Sequence, residues 1–319
     1  MKKIVLCFVS VFLRANPFLL DIEPSKEEGY EYLERIQSLI AKIDVKKEVS
    51  KMYPEPSLFG VKYNTEEDFY RRSMRGTVQT LIDRQSGYFP KKELLQVNGG
   101  GRDCVVLSCP IHPKYELLLY SLVESLKEIG YKGAIYYRVG GFPNPTGEEV
   151  RFVAVPYSFK IFTMIEAYQR GYKNVLWLDA SVYPLQNLDT LFRKIENEGA
   201  LISWKKFRKN GLLPKTQEIL HNLTGYKPGN FDHVSMQVFG LRMDLPWVQD
   251  FIQDYYKMVR LGTPFLSCYP EEHVISALAH KYKNHLPARL QKIILPSTDD
   301  NSHYVDAKKN GYYFFLRKH

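Results

Sequence analysis

Asp179 is the residue around which a chemical site can be assembled. It follows Val175-Leu-Trp-Leu178, a continuous apolar run of the kind that forms a strand buried on both faces. In an open α/β sheet, ligands bind at the carboxyl ends of the strands, and this strand ends on a carboxylate. Such an acid accepts hydroxyl hydrogen bonds or holds a cation; the plain alternative is a loop aspartate that only turns the chain. Lys160, in Pro156-Tyr-Ser-Phe-Lys160, sits where a helix begins, and a helix amino terminus favours phosphate. Its alternative is a solvated lysine. Glu271 and Glu272 open another helix, where the dipole alone favours acids, and either can orient an acceptor hydroxyl as general base. His303, behind Asp299 and Asp300, offers a metal ligand next to two further oxygen donors, or an ordinary loop histidine. His273 and His280 share a helix face, but two turns apart is too wide for one ion. His112 lies close to Ser108, at the end of a second apolar strand and on the same sheet edge. No Gly-X-Ser-X-Gly, P-loop or Gly-X-Gly-X-X-Gly pattern is present, which argues against hydrolase, kinase and dehydrogenase chemistry.

These residues need elements to hold them. Pro184 keeps the Asp179 strand from continuing as a paired central one. Asn187 can cap a helix carrying Leu188, Leu191, Phe192 and Ile195, with Gly199 as its stop. Upstream, the pattern predicts strands at Cys104–Leu107, Ala134–Val139 and Val150–Val155. A helical face runs from Tyr115 to Ile129, and a second helix, capped by Ser158, runs to Gly171. Downstream come a strand at Ala200–Trp204, a long loop from Lys205 to Asp232 with at most one helix, and a strand at Val234–Leu241. A helix begun by Pro246, a helix at Glu271–Tyr282 and a strand at Ile293–Leu295 complete the order. Strands alternating with helices imply right-handed crossovers and a mostly parallel, mixed central sheet with helices on both faces. Residues 21–98 read as helical, with capping boxes at Ser25–Glu28 and Thr65–Asp68. Gly99-Gly-Gly101 separates this appendage, a lid or a dimerising arm, from an α/β domain over 102–319.

Composition narrows the function classes. With 319 residues, 45% hydrophobic and 25% charged, the chain can bury one large core and an appendage. A net charge of +9 attracts anions generally: nucleotide diphosphates, anionic lipid, acidic glycans. The basic residues are scattered with no run of five, so nucleic acid is not an indicated partner, while peripheral membrane contact stays open. Four cysteines show no zinc-ligand spacing. Lys2 and Lys3 precede ten uncharged residues, Ile4–Leu13, which reads as a signal peptide over residues 1–20. An exported or membrane-associated address is then expected. The alternative is a buried first element of a cytoplasmic protein.

Taken together, the succession resembles the nucleotide-sugar-dependent glycosyltransferases of the GT-A fold, over roughly Arg102 to His303. The resemblance rests on Val175-Leu-Trp-Leu-Asp179-Ala-Ser181 followed by Leu185-Gln-Asn-Leu-Asp-Thr-Leu-Phe192. It also rests on Lys160 before the preceding helix, on Val234-Ser-Met-Gln-Val-Phe-Gly240 and on the acidic start of the helix at Glu271. It implies a hexosyltransferase-like enzyme moving a sugar from a nucleotide diphosphate donor to a glycan, lipid or protein hydroxyl. Asp179 and Glu272 would be catalytic, and Lys160, Ser108, Asp179 and Ser181 would bind the donor. The family's Asp-X-Asp holds Mn²⁺ or Mg²⁺, and here the second acid is Ser181, a much poorer ligand for a hard cation. Three consequences stay open: an ion held by Asp179 with a downstream ligand such as His303, a cation such as Lys160 in place of metal, or a catalytically silent binding or structural relative.

Overall fold

The computed structural model of the chain describes residues 91–96, 101–109, 113–140, 143, 155, 157–205, 212, 214–227, 233–265, 267, 269–290, 292–295 and 303–317. The signal-peptide region, both capping boxes, His112, Asp299, Asp300 and nearly all of the strand expected at Val150–Val155 lie outside these residues.

A six-stranded sheet is formed by β1 (Lys91–Gln96), β2 (Asp103–Cys109), β3 (Ala134–Val139), β4 (Asn174–Leu178), β6 (Ala200–Lys205) and β7 (His233–Arg242), in the order β1-β3-β2-β4-β7-β6. β3, β2 and β4 are parallel neighbours, whereas β1 and β7 run against them; β6, antiparallel to β7, points the same way as β4. The sheet is mixed, with four of its six strands in one direction. Lys91–Gln96 corrects the helical reading of residues 21–98. It is an edge strand paired with β3 along its whole length, and the main sheet therefore begins before the glycine run.

The alternation of side chains along β2 and β4 explains why both are central. Val106, Val175 and Trp177 enter one apolar cluster, together with helices α2 (Phe159–Gln169), α5 (Pro246–Leu261) and α6 (Pro270–Lys281). Val105, Leu107, Leu176 and Leu178 enter the other, against α1 (Pro113–Glu128) and α3 (Asp189–Glu198). Period two in a strand covered on both faces gives a run without polar breaks, as the sequence showed. The same parity directs Asp179 to the side of Trp177, the side covered by α2 and α6.

Beyond Asp179, β5 (Val182–Pro184) leaves the main sheet. It joins β9 (Phe314–Leu316) and β8 (Ile294–Leu295) in a small second sheet, with Pro184 at the end of an edge strand as its missing N–H requires. Gly199, in the left-handed region at φ 85°, closes α3 as expected, its N–H bonding Ile195 O. Neither expected side-chain cap is conventional. Asn187 Oδ1 accepts from Asp189 N at 2.7 Å, two residues before the helix, and Ser158 Oγ instead donates back to Val155 O at 2.9 Å. The long loop contains one helix among its described residues, α4 (Pro214–Thr224), and α7 (His303–Lys309) precedes β9. No described helix is long and apolar enough to cross a membrane.

Candidate functional site: a buried charge cluster at the end of β4

Asp179 extends from the carboxyl end of β4, its N–H bonded to Gln237 O of β7. One carboxylate oxygen, Oδ1, receives the Lys160 ammonium at 3.0 Å and the Trp177 indole N–H at 3.1 Å. The other oxygen has no protein partner among the described residues, and the side chain keeps 26% of its exposure. The acid is therefore fixed at one oxygen and open at the other.

Lys160 is not the solvated lysine of the alternative reading. It lies on the inward face of α2, 5% exposed, and its ammonium reaches Asp179, Glu271 Oε1 at 2.9 Å and Met236 O at a longer 3.3 Å. Three N–H groups meet three oxygen acceptors, and the Tyr157 and Trp177 rings lie 5.5 and 5.7 Å away. Burial opposes the lysine's charge, but Asp179 and Glu271 overcome it and raise its pKa. The turn that aims this lysine is strained: Tyr157 has φ 59°, a left-handed conformation unusual for a bulky residue. It is held from behind by Tyr255 OH, which donates to Ser158 O at 3.2 Å.

The two acids at the start of α6 have separate tasks. Glu271 faces Lys160; burial raises its carboxyl, and the ammonium beside it acts in opposition. Glu272 points toward β6 and β7. Its oxygens accept from Lys205 Nζ at 2.6 and 2.7 Å, from Met236 N at 3.3 Å and from His233 Nε2 at 3.2 Å. Burial alone would raise this carboxyl as well, but the His233 hydrogen bond and the Lys205 charge hold it at about 2. A carboxylate so occupied is a weak proton acceptor. In these contacts Glu272, the residue expected to be a general base, joins α6 to β6 and β7.

The remaining candidates divide. Ser108 stands two residues past the registered pair Val106↔Trp177 on the strand parallel to β4, so it shares an edge with Asp179. Ser181 is half-buried in the turn after Asp179. His303 lies on α7, beside the small sheet, and its side chain is outside the described atoms. His273 is fully buried next to His233, with burial and that neighbour lowering it to about 3. Sequence reasoning missed Lys205, His233 and Arg317. The first two end β6 and begin β7 and could have been found from their edge positions. Arg317 carried no such signal, yet its Nη2 donates to Ala180 O at 2.7 Å, Leu118 O at 2.9 Å and Val182 O at 3.3 Å. Its Nη1 reaches Ser121 Oγ at 3.0 Å, and its backbone N–H reaches Ser181 O at 2.9 Å. The turn that carries Asp179 and Ser181 is clamped from the far end of the chain.

The donor set does not fit a protein-held divalent ion. One open carboxylate oxygen and one neutral hydroxyl fall short of the several charged oxygens a hard cation wants. Among the described residues no three His, Cys, Asp or Glu side chains are grouped to hold one.

By sequence, no family model and no curated protein matches the chain. By structure it is similar to the galactosyltransferase LgtC in complex with donor and acceptor sugar analogs, at 14% identity and TM-score 0.40, over 68% of this chain and 87% of that one. It is also similar to the apo form of mouse xyloside xylosyltransferase 1, at 10% identity and TM-score 0.42, over 67% and 97% of the two chains.

Proposed function

We propose that the chain is a glycosyltransferase that moves a sugar from a nucleotide diphosphate donor to a hydroxyl of a glycan, lipid or protein. The observation that carries this reading is the Asp179 carboxylate, one oxygen locked by Lys160 and Trp177 and the other open at the carboxyl edge of β4. A pre-positioned carboxylate oxygen is an acceptor for paired hydroxyls, such as those of a ribose or a donor sugar, and its fixed geometry lowers the ordering cost of binding. Ser181, in the same turn, supplies a neutral hydroxyl beside it, and Ser108 lines the adjacent strand end, where the base would lie. In the transfer, the bond from the sugar's anomeric carbon to the diphosphate oxygen breaks and its electron pair leaves with the diphosphate. The acceptor oxygen forms the new bond and gives its proton to a base. The contacts of Glu272 with Lys205 and His233 argue against its serving as that base.

The test is calorimetric titration with uridine and guanosine diphosphate sugars against wild type and Asp179→Asn. Binding in wild type that weakens about tenfold or more in the variant is expected, the loss of one charge-assisted hydrogen bond. Absence of binding to every donor would remove the reading. A second reading, a catalytically silent binding protein on the same scaffold, is favoured by Ser181 and by the occupied Glu272. It predicts donor or glycan binding without donor turnover, so release of free nucleotide diphosphate decides against it.

A further inference from the structure

We infer that the Lys160 ammonium is the resident cation of this site, seated between Asp179 and Glu271, so that the site needs no added metal. The part concerning donor binding rests on the glycosyltransferase reading; the part concerning the cation does not. Two carboxylates and a carbonyl oxygen surround the ammonium at 3.0, 2.9 and 3.3 Å. These are hydrogen-bond lengths, well beyond the roughly 2.0–2.6 Å at which Mg²⁺ or Ca²⁺ binds oxygen. Three oxygens of this kind, two of them charged, form the protein half of a hard-cation site, and a covalently tethered ammonium already fills it. The tether comes from inside the fold: Lys160 is on the buried face of α2, and its ammonium is backed by the Tyr157 and Trp177 rings. An ion approaching the open oxygen of Asp179 would meet a positive charge held against the other oxygen of the same carboxylate. It would find Ser181 where a second acid is needed. The arrangement also explains why Glu271, with little exposure, is present at all: one carboxylate cannot satisfy a buried ammonium with three donors.

The experiment is a Mn²⁺ titration followed by electron paramagnetic resonance, without nucleotide, on wild type, Lys160→Ala and Asp179→Asn. Wild type is expected to show no Mn²⁺ site that depends on Asp179. Lys160→Ala, which leaves both carboxylates and the Met236 carbonyl facing a vacated volume, is expected to gain one Mn²⁺ per chain, bound about 100-fold tighter than by wild type. A wild-type Mn²⁺ site that disappears in Asp179→Asn overturns the proposal, and so does a folded Lys160→Ala that gains none. Should that variant fail to fold, the wild-type comparison with Asp179→Asn still decides. In a second arm, nucleoside diphosphate affinity of wild type is measured with EDTA and with Mn²⁺. A change within about twofold supports the proposal, and a gain of about tenfold or more with Mn²⁺ overturns it. Failure of every nucleotide to bind removes the donor reading and leaves the Mn²⁺ result standing.

Discussion

Lys160 has three N–H groups and three oxygen acceptors around them, so its removal strands two carboxylates at once. Lys160→Met should lower stability by about 3–5 kcal/mol, the range for breaking a buried ion pair from one side. Lys160→Met with Glu271→Gln should recover part of that loss, because the stranded buried charge is gone; urea unfolding of the two variants measures it. Glu272 makes a pH-dependent contribution of definite sign. Its carboxyl lies below the ordinary carboxylate range in the folded chain, so the native state binds fewer protons than the unfolded state between about pH 2 and the ordinary glutamate value of 4.5. Its stabilisation is complete above that window and is lost as pH falls through it, an effect of roughly 3 kcal/mol. Glu271, raised by burial, works in the opposite direction: its destabilising effect grows as pH rises above the ordinary carboxylate value. Stability curves of wild type and Glu272→Gln, measured by chemical denaturation from pH 2 to 6, should differ most at the upper end and converge toward pH 2.

At the scale of elements, the Asp179 turn is defined by what holds its two sides. Lys160 on α2 fixes the carboxylate, and Arg317, just after β9, fixes the carbonyls of Ala180 and Val182. The guanidinium has no carboxylate partner in these contacts. Arg317→Ala would leave buried carbonyls without donors and should cost about 1–3 kcal/mol. It should also weaken donor binding, whereas Arg317→Lys should restore part of the stability; thermal denaturation alongside calorimetric titration separates the two effects. The packing of α3 on the sheet supplies another check. A Cβ on Gly240 would lie 2.5 Å from Ile195 Cδ1 and 3.2 Å from Leu201 Cβ, so Gly240→Ala should destabilise by about 1–3 kcal/mol through overpacking between β7 and α3.

For the whole molecule, the contrast is between a basic chain and a site cluster that is not basic. The chain carries a net charge of +9, while Asp179, Glu271 and Glu272 outnumber Lys160 and Lys205 within the cluster. Under the proposed function, attraction of an anionic donor is a property of the overall field, which salt screens over about 8–10 Å. Raising NaCl from about 20 to about 500 mM should therefore weaken nucleotide diphosphate binding several-fold. The Lys160–Glu271 pair, shielded between α2, β4 and α6, should resist the same change. Affinity and urea midpoints measured across that salt range test both.

How much of this was legible depended on how local its cause was. The uninterrupted Val175–Leu178 run marked β4 because a strand covered on both faces tolerates no polar break, and Pro184 and Gly199 marked their boundaries through backbone geometry alone. The alternation of strands and helices gave the mixed sheet and put Asp179 at its edge. β1 and β9 escaped because their pairing comes from distant partners. Four of the six residues of Lys91–Gln96 are charged or polar, so it is a strand only through β3, and Phe314–Leu316 is too short to show a period. For the same reason the chemistry of the site was hidden. Sequence alone determined which residues carry charge and which strand end presents Asp179. Only the tertiary structure decided that Lys160 turns inward to two acids, that Glu272 is occupied by Lys205 and His233, and that Arg317 closes the turn by bonding Ala180, 137 residues away. Ionic pairing in a buried space depends on which side chains converge there, and convergence across β4, β7, α2 and α6 is set by packing, not by spacing along the chain.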